Sequence, residues 1–98
     1  MIGMEKYPIQ SRMEIYRRAR QKYGDRHQEM KAMEEMAELM AEVARYQNHG
    51  GNLVHLAEEM ADVYITLEQL QIILGIEDLT RWMIDAKIDQ LRERLRAQ

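Results

Sequence analysis

The chain has 98 residues, the size of one domain with a modest core of its own. Its formal net charge of −3 argues against nonspecific nucleic-acid binding as the main activity, and the absence of cysteine excludes disulfides and thiolate metal sites. No apolar run approaches the roughly 18 to 20 residues that a membrane span needs, and residues 1–9 lack the apolar segment of a signal peptide. We therefore expect a single cytoplasmic domain over residues 1–98, with no membrane partner.

The N-terminal part of the chain predicts a short first helix. Residues 1–10 are expected to form a flexible lead-in, and the helix then covers residues 11–23. Ser11 and Glu14 have the spacing of a capping box, in which the hydroxyl and the carboxylate each accept a backbone N–H at the start of the helix. Gly24 favours the end of the helix because glycine readily adopts the backbone conformation of a C-terminal cap.

A second helix is predicted over residues 26–46, capped by Asp25 with Gln28 three residues on. Residues 48–51 read Asn-His-Gly-Gly and are typical of a break between helices. At about 100° per residue, the charged side chains fall within one narrow arc. Apolar side chains cover more than half of the circumference, which is more than one antiparallel neighbour would bury. This width predicts self-association.

Two further helices are predicted in the second half of the chain. Asn52 can cap a helix over residues 53–74, and Gly75 ends it. The last helix covers residues 77–96, with apolar residues near heptad spacing. Short connections between consecutive helices favour antiparallel neighbours. The fold class is therefore all-α, an antiparallel bundle of about four helices with a core completed by oligomerisation.

One acidic pattern occurs twice. The sequence Met-Glu-Glu-Met-Ala-Glu ends at Glu38, and Ala-Glu-Glu-Met-Ala-Asp ends at Asp62. Each copy places two carboxylates three residues apart, Glu35 with Glu38 and Glu59 with Asp62. Residues with this spacing are neighbours on a helix surface. Two such pairs on two packed helices would make an oxygen-rich site for a hard divalent cation.

A run of acidic residues is usually a solvated helix face, but the second copy does not fit that interpretation. Glu59 and Asp62 head a stripe that continues with apolar residues, so they are expected to face protein, where acids need partners or a metal. Four converging carboxylates without a metal would repel one another and raise their pKa values. Mg²⁺ or Mn²⁺ would relieve that repulsion.

These residues resemble a known family. The pattern Glu34-Glu35-x-x-Glu38, followed after twenty residues by Glu59-x-x-Asp62, is similar to the signature of the MazG-like all-α NTP pyrophosphohydrolase superfamily, in its short phage and bacterial type. The resemblance covers roughly residues 20 to 96. It includes other matching positions before and after the acidic pattern: Tyr23, Gly24, Gln28, Gly75, Ile76, Lys87 and Arg94.

The resemblance implies a Mg²⁺-dependent hydrolase, for which Mn²⁺ is an alternative metal, that cleaves a nucleoside triphosphate between the α- and β-phosphates. Its metal ligands would be the four carboxylates Glu35, Glu38, Glu59 and Asp62. Glu34 would help to orient the attacking water, and Lys87 and Arg94 would meet the phosphates. Many family members have Asn four residues after the Lys, where this chain has Leu91, and this departure weakens the assignment of a phosphate clamp.

Other roles near the site follow less directly. The resemblance places Gln28 near the substrate, where it could read a base edge; a cap of its own helix is the other interpretation. His55 lies one turn before Glu59 on the same face and could touch the site, although a surface histidine is the simpler interpretation. The resemblance also implies homodimers or homotetramers, in which the partner chain completes the core.

Three alternatives remain open at the level of the sequence. Phosphoribosyl-ATP pyrophosphohydrolase of histidine biosynthesis has a similar size and acidic motif and cleaves the same linkage. A helical interaction module without catalysis would use the Met-rich second helix as a binding surface. A nucleic-acid-binding protein would use the basic segment 11–26, but the net acidity of the chain makes this a minor candidate.

Overall fold

Four α-helices make up residues 6–97, the part of the chain that the computed structural model describes. In chain order they are α1 (Ile9–Tyr23), α2 (Asp25–His49), α3 (Leu53–Leu74) and α4 (Glu77–Arg96). There is no strand in this part of the chain. The predicted all-α class is confirmed.

The bounds of α3 and α4 agree with the sequence prediction, and their local causes are visible. The Asn52 side-chain oxygen accepts the backbone N–H groups of Val54 and His55 at 2.8 and 3.2 Å. This cap satisfies two of the N–H groups that a helix start leaves without partners. At the other end of α3, Gly75 has φ +68°, the left-handed conformation that glycine adopts without a steric penalty.

The predicted start of α1 is wrong. The helix begins at Ile9, two residues before the predicted Ser11, and its start has no side-chain cap. Pro8 occupies the capping position with φ −64°, and its carbonyl accepts the Arg12 N–H at 3.0 Å. Proline fixes a φ that is compatible with the helix, so the helix can begin directly after it. Of the predicted lead-in 1–10, residues 1–5 lie outside the described part of the chain.

The predicted cap of α2 is also wrong. Asp25 caps nothing, because its two carboxylate oxygens accept hydrogen bonds from the Arg20 guanidinium at 2.6 and 3.1 Å. Gly24 precedes the helix with φ +85° and ψ 161°. The charge-assisted pair with Arg20 replaces the weaker capping bond. At its far end α2 continues three residues beyond the predicted Tyr46, to His49.

The helices α2 and α3 form an antiparallel hairpin and make most of the contacts between helices. Each contributes a row of residues spaced alternately by three and four. The α2 row contains the buried side chains of Gln28, Ala32, Glu35 and Glu42, and the α3 row includes the buried Thr66. In contrast, Met33 and Met40 on the other side of α2 are 56% and 71% exposed. The acidic arc of α2 therefore faces α3, and the methionine face points outward.

A polar network fastens α1 to α3. The Arg12 guanidinium donates to both carboxylate oxygens of Glu68 at 3.1 and 2.9 Å, and the buried Tyr16 hydroxyl donates to the same carboxylate at 2.6 Å. Burial together with the bond to Glu68 raises the pKa of Tyr16 to about 12. The hydrogen bond from Arg12 is the main reason that the pKa of Glu68 lies below its ordinary value.

The last helix is loosely attached. Within the described part of the chain, α4 has no buried residue, and large apolar side chains such as Trp82, Ile88 and Leu95 are 57–64% exposed. The radius of gyration is 16.2 Å, against roughly 13 Å for a compact domain of this length. A single chain thus leaves much of its apolar surface uncovered. None of the described helices is long and apolar enough to cross a membrane.

Candidate metal centre

Three carboxylates from the two helices of the hairpin converge. Glu35 and Glu38 lie one turn apart on α2, and Glu59 approaches them from α3. One carboxylate oxygen from each of the three lies within 4.8 Å of the others. The three side chains differ in their exposure to solvent: Glu35 is buried, Glu59 is partly buried and Glu38 is exposed. The cluster is therefore open on the side of Glu38.

Two oxygens of this cluster are buried without a hydrogen-bond donor. They are Oε2 of Glu35 and Oε2 of Glu59. A buried oxygen that lacks a donor costs free energy, and the cost is larger for a charged group. Nearly all buried polar groups in native proteins have a partner. These two atoms therefore mark a place where a cation fits the protein.

The electrostatics of the cluster agree with this geometry. The pKa of Glu59 is raised above its ordinary value, first because burial disfavours its charged form and then because Glu38, Asp62 and Glu35 repel it. His55 opposes this rise. Acidic groups that share a site without a cation have this property.

Lys31 supplies part of the positive charge that the cluster needs. Its ammonium lies 3.3 Å from Oε1 of Glu35, one helical turn away, and is half exposed. The pair with Glu35 is also the main cause of the raised pKa of Lys31, with smaller contributions from Glu34 and Glu38. This lysine contacts only the Oε1 side of Glu35, so the buried Oε2 atom remains without a donor.

The row of carboxylates continues one turn along α2 with Glu42. This side chain is buried and is paired with Arg45 and with His55, whose Nδ1 lies 3.5 Å from Glu42 Oε2. Nε2 of the same imidazole lies 3.8 Å from Oε1 of Glu59. His55 is therefore an exposed surface residue, as the simpler interpretation has it, and it also lies within ion-pair distance of Glu59 and Glu42. Its place one turn before Glu59 was the sequence signal for this contact.

An open cavity of about 260 Å³ adjoins the carboxylates, and Glu35 and Asp62 form part of its wall. Gln28 also lines it and is 7% exposed. Its carboxamide makes no hydrogen bond with another described residue. Tyr23 and His27 also line the cavity, and their rings stack with centroids 5.1 Å apart. Because Gln28 lines this cavity, its carboxamide can hydrogen-bond to a ligand there.

The remaining predicted site residues have different positions. Asp62 lines the cavity beside Glu35 but is exposed and lies outside the group of three carboxylates. Glu34 is exposed on α2. Lys87 and Arg94 are exposed on α4, and neither lines the cavity beside the carboxylates in the described part of the chain. One chain therefore brings together the carboxylates and Gln28, but not the two cations.

Comparisons with protein-family models, with curated proteins and with solved structures find no match to this chain.

The chemistry of the donor set fits a small divalent cation. Carboxylate oxygens are the ligands that Mg²⁺ and Mn²⁺ accept in proteins. Glu35, Glu38 and Glu59 would hold the ion, and the two oxygens without donors would gain a partner. Three ligands on one side leave the remaining coordination positions of an octahedral ion for water or for a substrate.

Proposed function

We propose that this protein is a nucleoside triphosphate pyrophosphohydrolase that depends on a divalent cation, Mg²⁺ or Mn²⁺. It would cleave the bond between the α- and β-phosphates to give a nucleoside monophosphate and pyrophosphate, and so remove unwanted nucleotides. The observation that carries the proposal is the group of three carboxylates across α2 and α3, with its two buried oxygens that have no donor. The resemblance of the doubled acidic pattern to MazG-like enzymes supports the same reaction.

Each residue of the site has a task that suits its place. The buried Glu35 and the partly buried Glu59 form the fixed base of the metal site, while the exposed Glu38 lies on the side from which a polyphosphate can approach. Asp62 and Glu35 lie on the wall of the cavity. A bound divalent cation would neutralise phosphate charge and make a water molecule more acidic.

The cavity beside the carboxylates would hold the nucleoside. Its volume of about 260 Å³ is small, compared with the roughly 300–1,000 Å³ of pockets for drug-sized ligands. The Gln28 carboxamide offers both a donor and an acceptor to a base edge, and the exposed ring face of the Tyr23–His27 pair offers a stacking surface. In this arrangement, the base and the polyphosphate would lie on adjoining surfaces of the same hairpin.

We also propose that the chain works as a homodimer or homotetramer. The exposed apolar residues of α2 and α4 and the large radius of gyration support an assembly in which a second copy covers them. Lys87 and Arg94 would then reach a polyphosphate bound to a neighbouring chain. This explains how they could serve a site from which they are absent in one chain.

A helical interaction module without catalysis is the second candidate. It is favoured by the exposed apolar surface of α4, where Leu79, Met83, Ile84 and Leu91 are 44–55% exposed. Such a module would bind its partner through this surface and would not need the carboxylate cluster.

The test is pyrophosphate release from a panel of canonical and modified NTPs and dNTPs, with phosphoribosyl-ATP in the same panel. We expect turnover in Mg²⁺ or Mn²⁺ and none in EDTA. Glu38→Gln should lose at least 100-fold in kcat, which corresponds to about 2.7 kcal/mol. Glu58→Gln is the matched control, because Glu58 is exposed beside Glu59 and lies outside the cluster. Absence of turnover for every nucleotide would contradict the proposal.

A further inference from the structure

Lys31 is the only lysine or arginine among the described residues that line the cavity beside the carboxylates. Its ammonium lies 3.3 Å from Oε1 of Glu35, and its side chain is half exposed. Neither Lys87 nor Arg94 lines this cavity. Within one chain, Lys31 is therefore the side chain whose fixed positive charge can meet an anionic ligand there.

The charge of Lys31 complements that of the metal centre. The carboxylates of Glu35, Glu38 and Glu59 carry three negative charges, and a divalent cation among them would compensate two. Lys31 compensates the third through Oε1 of Glu35, while Oε2 of the same carboxylate is the atom buried without a donor. The ammonium and a metal ion can thus share Glu35 without competing for one oxygen. A phosphate group would then approach balanced charges instead of a net negative group.

Three residues of α2 follow one another along the wall of this cavity. Gln28, Lys31 and Glu35 are separated by three and four positions, so they lie on one face of the helix. At about 1.5 Å of rise per residue, Lys31 lies roughly 4.5 Å beyond Gln28 and roughly 6 Å before Glu35 along the helix axis. A nucleotide has its parts in a matching order, with the α-phosphate between the nucleoside and the terminal phosphates. With the base at Gln28 and the terminal phosphates at the metal ion, the α-phosphate lies nearest to Lys31.

From this arrangement we propose that Lys31 binds the α-phosphate of the nucleotide, the phosphate that stays on the nucleoside after cleavage. A lysine ammonium has three N–H donors, so Lys31 can donate to a phosphate oxygen while it keeps its pair with Glu35. This inference rests on the proposed function and goes beyond it by assigning a phosphate contact to one residue and one phosphate. It requires no residue from a neighbouring chain, unlike the role proposed for Lys87 and Arg94.

The test measures the binding of the two kinds of product separately, by isothermal titration calorimetry of the full chain in Mg²⁺. The probes are inorganic pyrophosphate and a panel of ribo- and deoxyribonucleoside monophosphates, from which the tightest binder is used for the variants. Lys31→Ala should weaken monophosphate binding roughly tenfold, as expected for the loss of one charge-assisted hydrogen bond. Pyrophosphate affinity should change less than about threefold, because the metal ion would hold that product.

The matched control is Lys22→Ala, which removes the same charge from an exposed residue of α1 that does not line the cavity. It should leave both affinities unchanged. Lys31→Arg keeps the positive charge and should retain most of the monophosphate affinity. Circular dichroism verifies that each variant folds, and Lys31→Gln provides a second neutral variant that keeps a polar side chain.

The comparison of the two products distinguishes a direct contact from two simpler effects. A charge that acted only at long range would affect pyrophosphate, the more highly charged ligand, at least as much as the monophosphate. If Lys31 served only to compensate Glu35 in the folded hairpin, Lys31→Ala would lower the stability and leave the monophosphate affinity unchanged.

The outcomes separate this inference from the proposed function. In a protein that turns over nucleotides, an unchanged monophosphate affinity in Lys31→Ala, equal weakening of both products, or no binding of any monophosphate would overturn the inference and leave the hydrolase proposal standing. Monophosphate binding that depends on Lys31 in a protein that turns over no nucleotide would support the inference and overturn the hydrolase proposal. Neither monophosphate binding nor turnover would overturn both.

Discussion

Glu35 of α2 and Glu59 of α3 face each other across the hairpin, and each has one buried carboxylate oxygen without a hydrogen-bond donor. The two helices are in contact along rows that also contain apolar residues, so this acidic pair interrupts a packing surface. Burial of like charges disfavours the folded state unless a cation compensates them.

The first prediction concerns the stability of the hairpin. In the metal-free protein, Glu59→Gln should raise the free energy of unfolding, because it removes a buried charge that Glu38, Asp62 and Glu35 repel. A metal concentration of 100 times Kd should stabilise the wild type by about 2.7 kcal/mol and should stabilise Glu59→Gln far less. Urea unfolding in EDTA and in Mn²⁺ measures both effects.

Glu58→Gln serves as the control for this experiment, since it makes the same chemical change on the exposed side of α3. It should respond to metal as the wild type does. An equal gain from metal in the wild type and in Glu59→Gln would contradict the placement of the ion at this cluster.

The second prediction concerns the network that fastens α1 to α3. Tyr16→Phe deletes the hydroxyl that donates to Glu68 at 2.6 Å, and hydrogen bonds to charged groups are worth roughly 1.5–3 kcal/mol. Glu68 is partly exposed and would keep its two hydrogen bonds from Arg12. We therefore expect Tyr16→Phe to lower the free energy of unfolding by about 1 kcal/mol, which is below that range. Tyr64→Phe, at a residue 72% exposed, should change stability by less than about 0.5 kcal/mol. Equal losses in chemical denaturation would disprove the role of the Tyr16 hydroxyl.

The third prediction concerns pH. The pKa of Glu68 in the folded state lies below its ordinary value of 4.5, because Arg12 and Tyr16 donate to its charged form. A depressed pKa contributes stability above the unfolded value, and this contribution is lost as the pH falls through the folded value. Glu68→Gln should therefore reduce the acid dependence of stability below about pH 4.5. Thermal unfolding between pH 3 and 7 tests this, and an unchanged slope would refute it.

The fourth prediction concerns the turn between α1 and α2. Gly24 has φ +85° and ψ 161°, a region that is essentially limited to glycine, whereas Gly50 has φ +73° and ψ 18°, which other residues sometimes adopt. A Cβ at either position meets no atom within 4 Å, so only the backbone decides the cost. We expect Gly24→Ala to cost about 3 kcal/mol and Gly50→Ala about 1 kcal/mol. The reverse order in equilibrium unfolding would count against this turn geometry.

Local signals explain which parts of the fold could be predicted from the sequence. Asn52 and Gly75 act on neighbouring backbone groups, so the bounds of α3 follow from residues at its own ends. Asp25 also has the residue type and spacing of a helix cap, but its carboxylate accepts hydrogen bonds from the Arg20 side chain instead. Such competition depends on where the end of α1 lies relative to α2, and spacing alone does not reveal it.

The candidate site, like the helix ends, can be predicted from the sequence only where local spacing determines it. The spacing predicts that four carboxylates converge, because one turn of a helix brings residues three apart to one face. The structure brings together three of them, Glu35, Glu38 and Glu59. The contact of His55 with Glu42 depends on the register between α2 and α3, which no local pattern specifies. The exposed position of Asp62 depends on the same register. The sequence therefore predicts the composition of the site better than its arrangement.

The fifth prediction concerns self-association. Ile88 on α4 is 57% exposed and belongs to an apolar row that includes Ile84, Leu91 and Leu95. Ile88→Asp should place a charge in the proposed interface and shift the protein toward a monomer, by roughly tenfold or more in Kd. Gln90→Asp adds the same charge on the same helix outside this row and should retain the assembly. Sedimentation velocity over a range of concentrations measures this, and a wild type that is monomeric throughout would refute the proposal.

The most direct test of the central claim is ³¹P nuclear magnetic resonance of a nucleoside triphosphate incubated with the protein and Mg²⁺ or Mn²⁺. The account predicts that the signals of a monophosphate and of pyrophosphate grow together, and that Glu38→Gln nearly abolishes both. A diphosphate with orthophosphate, no conversion of any nucleotide, or equal rates for Glu38→Gln and the wild type would contradict it.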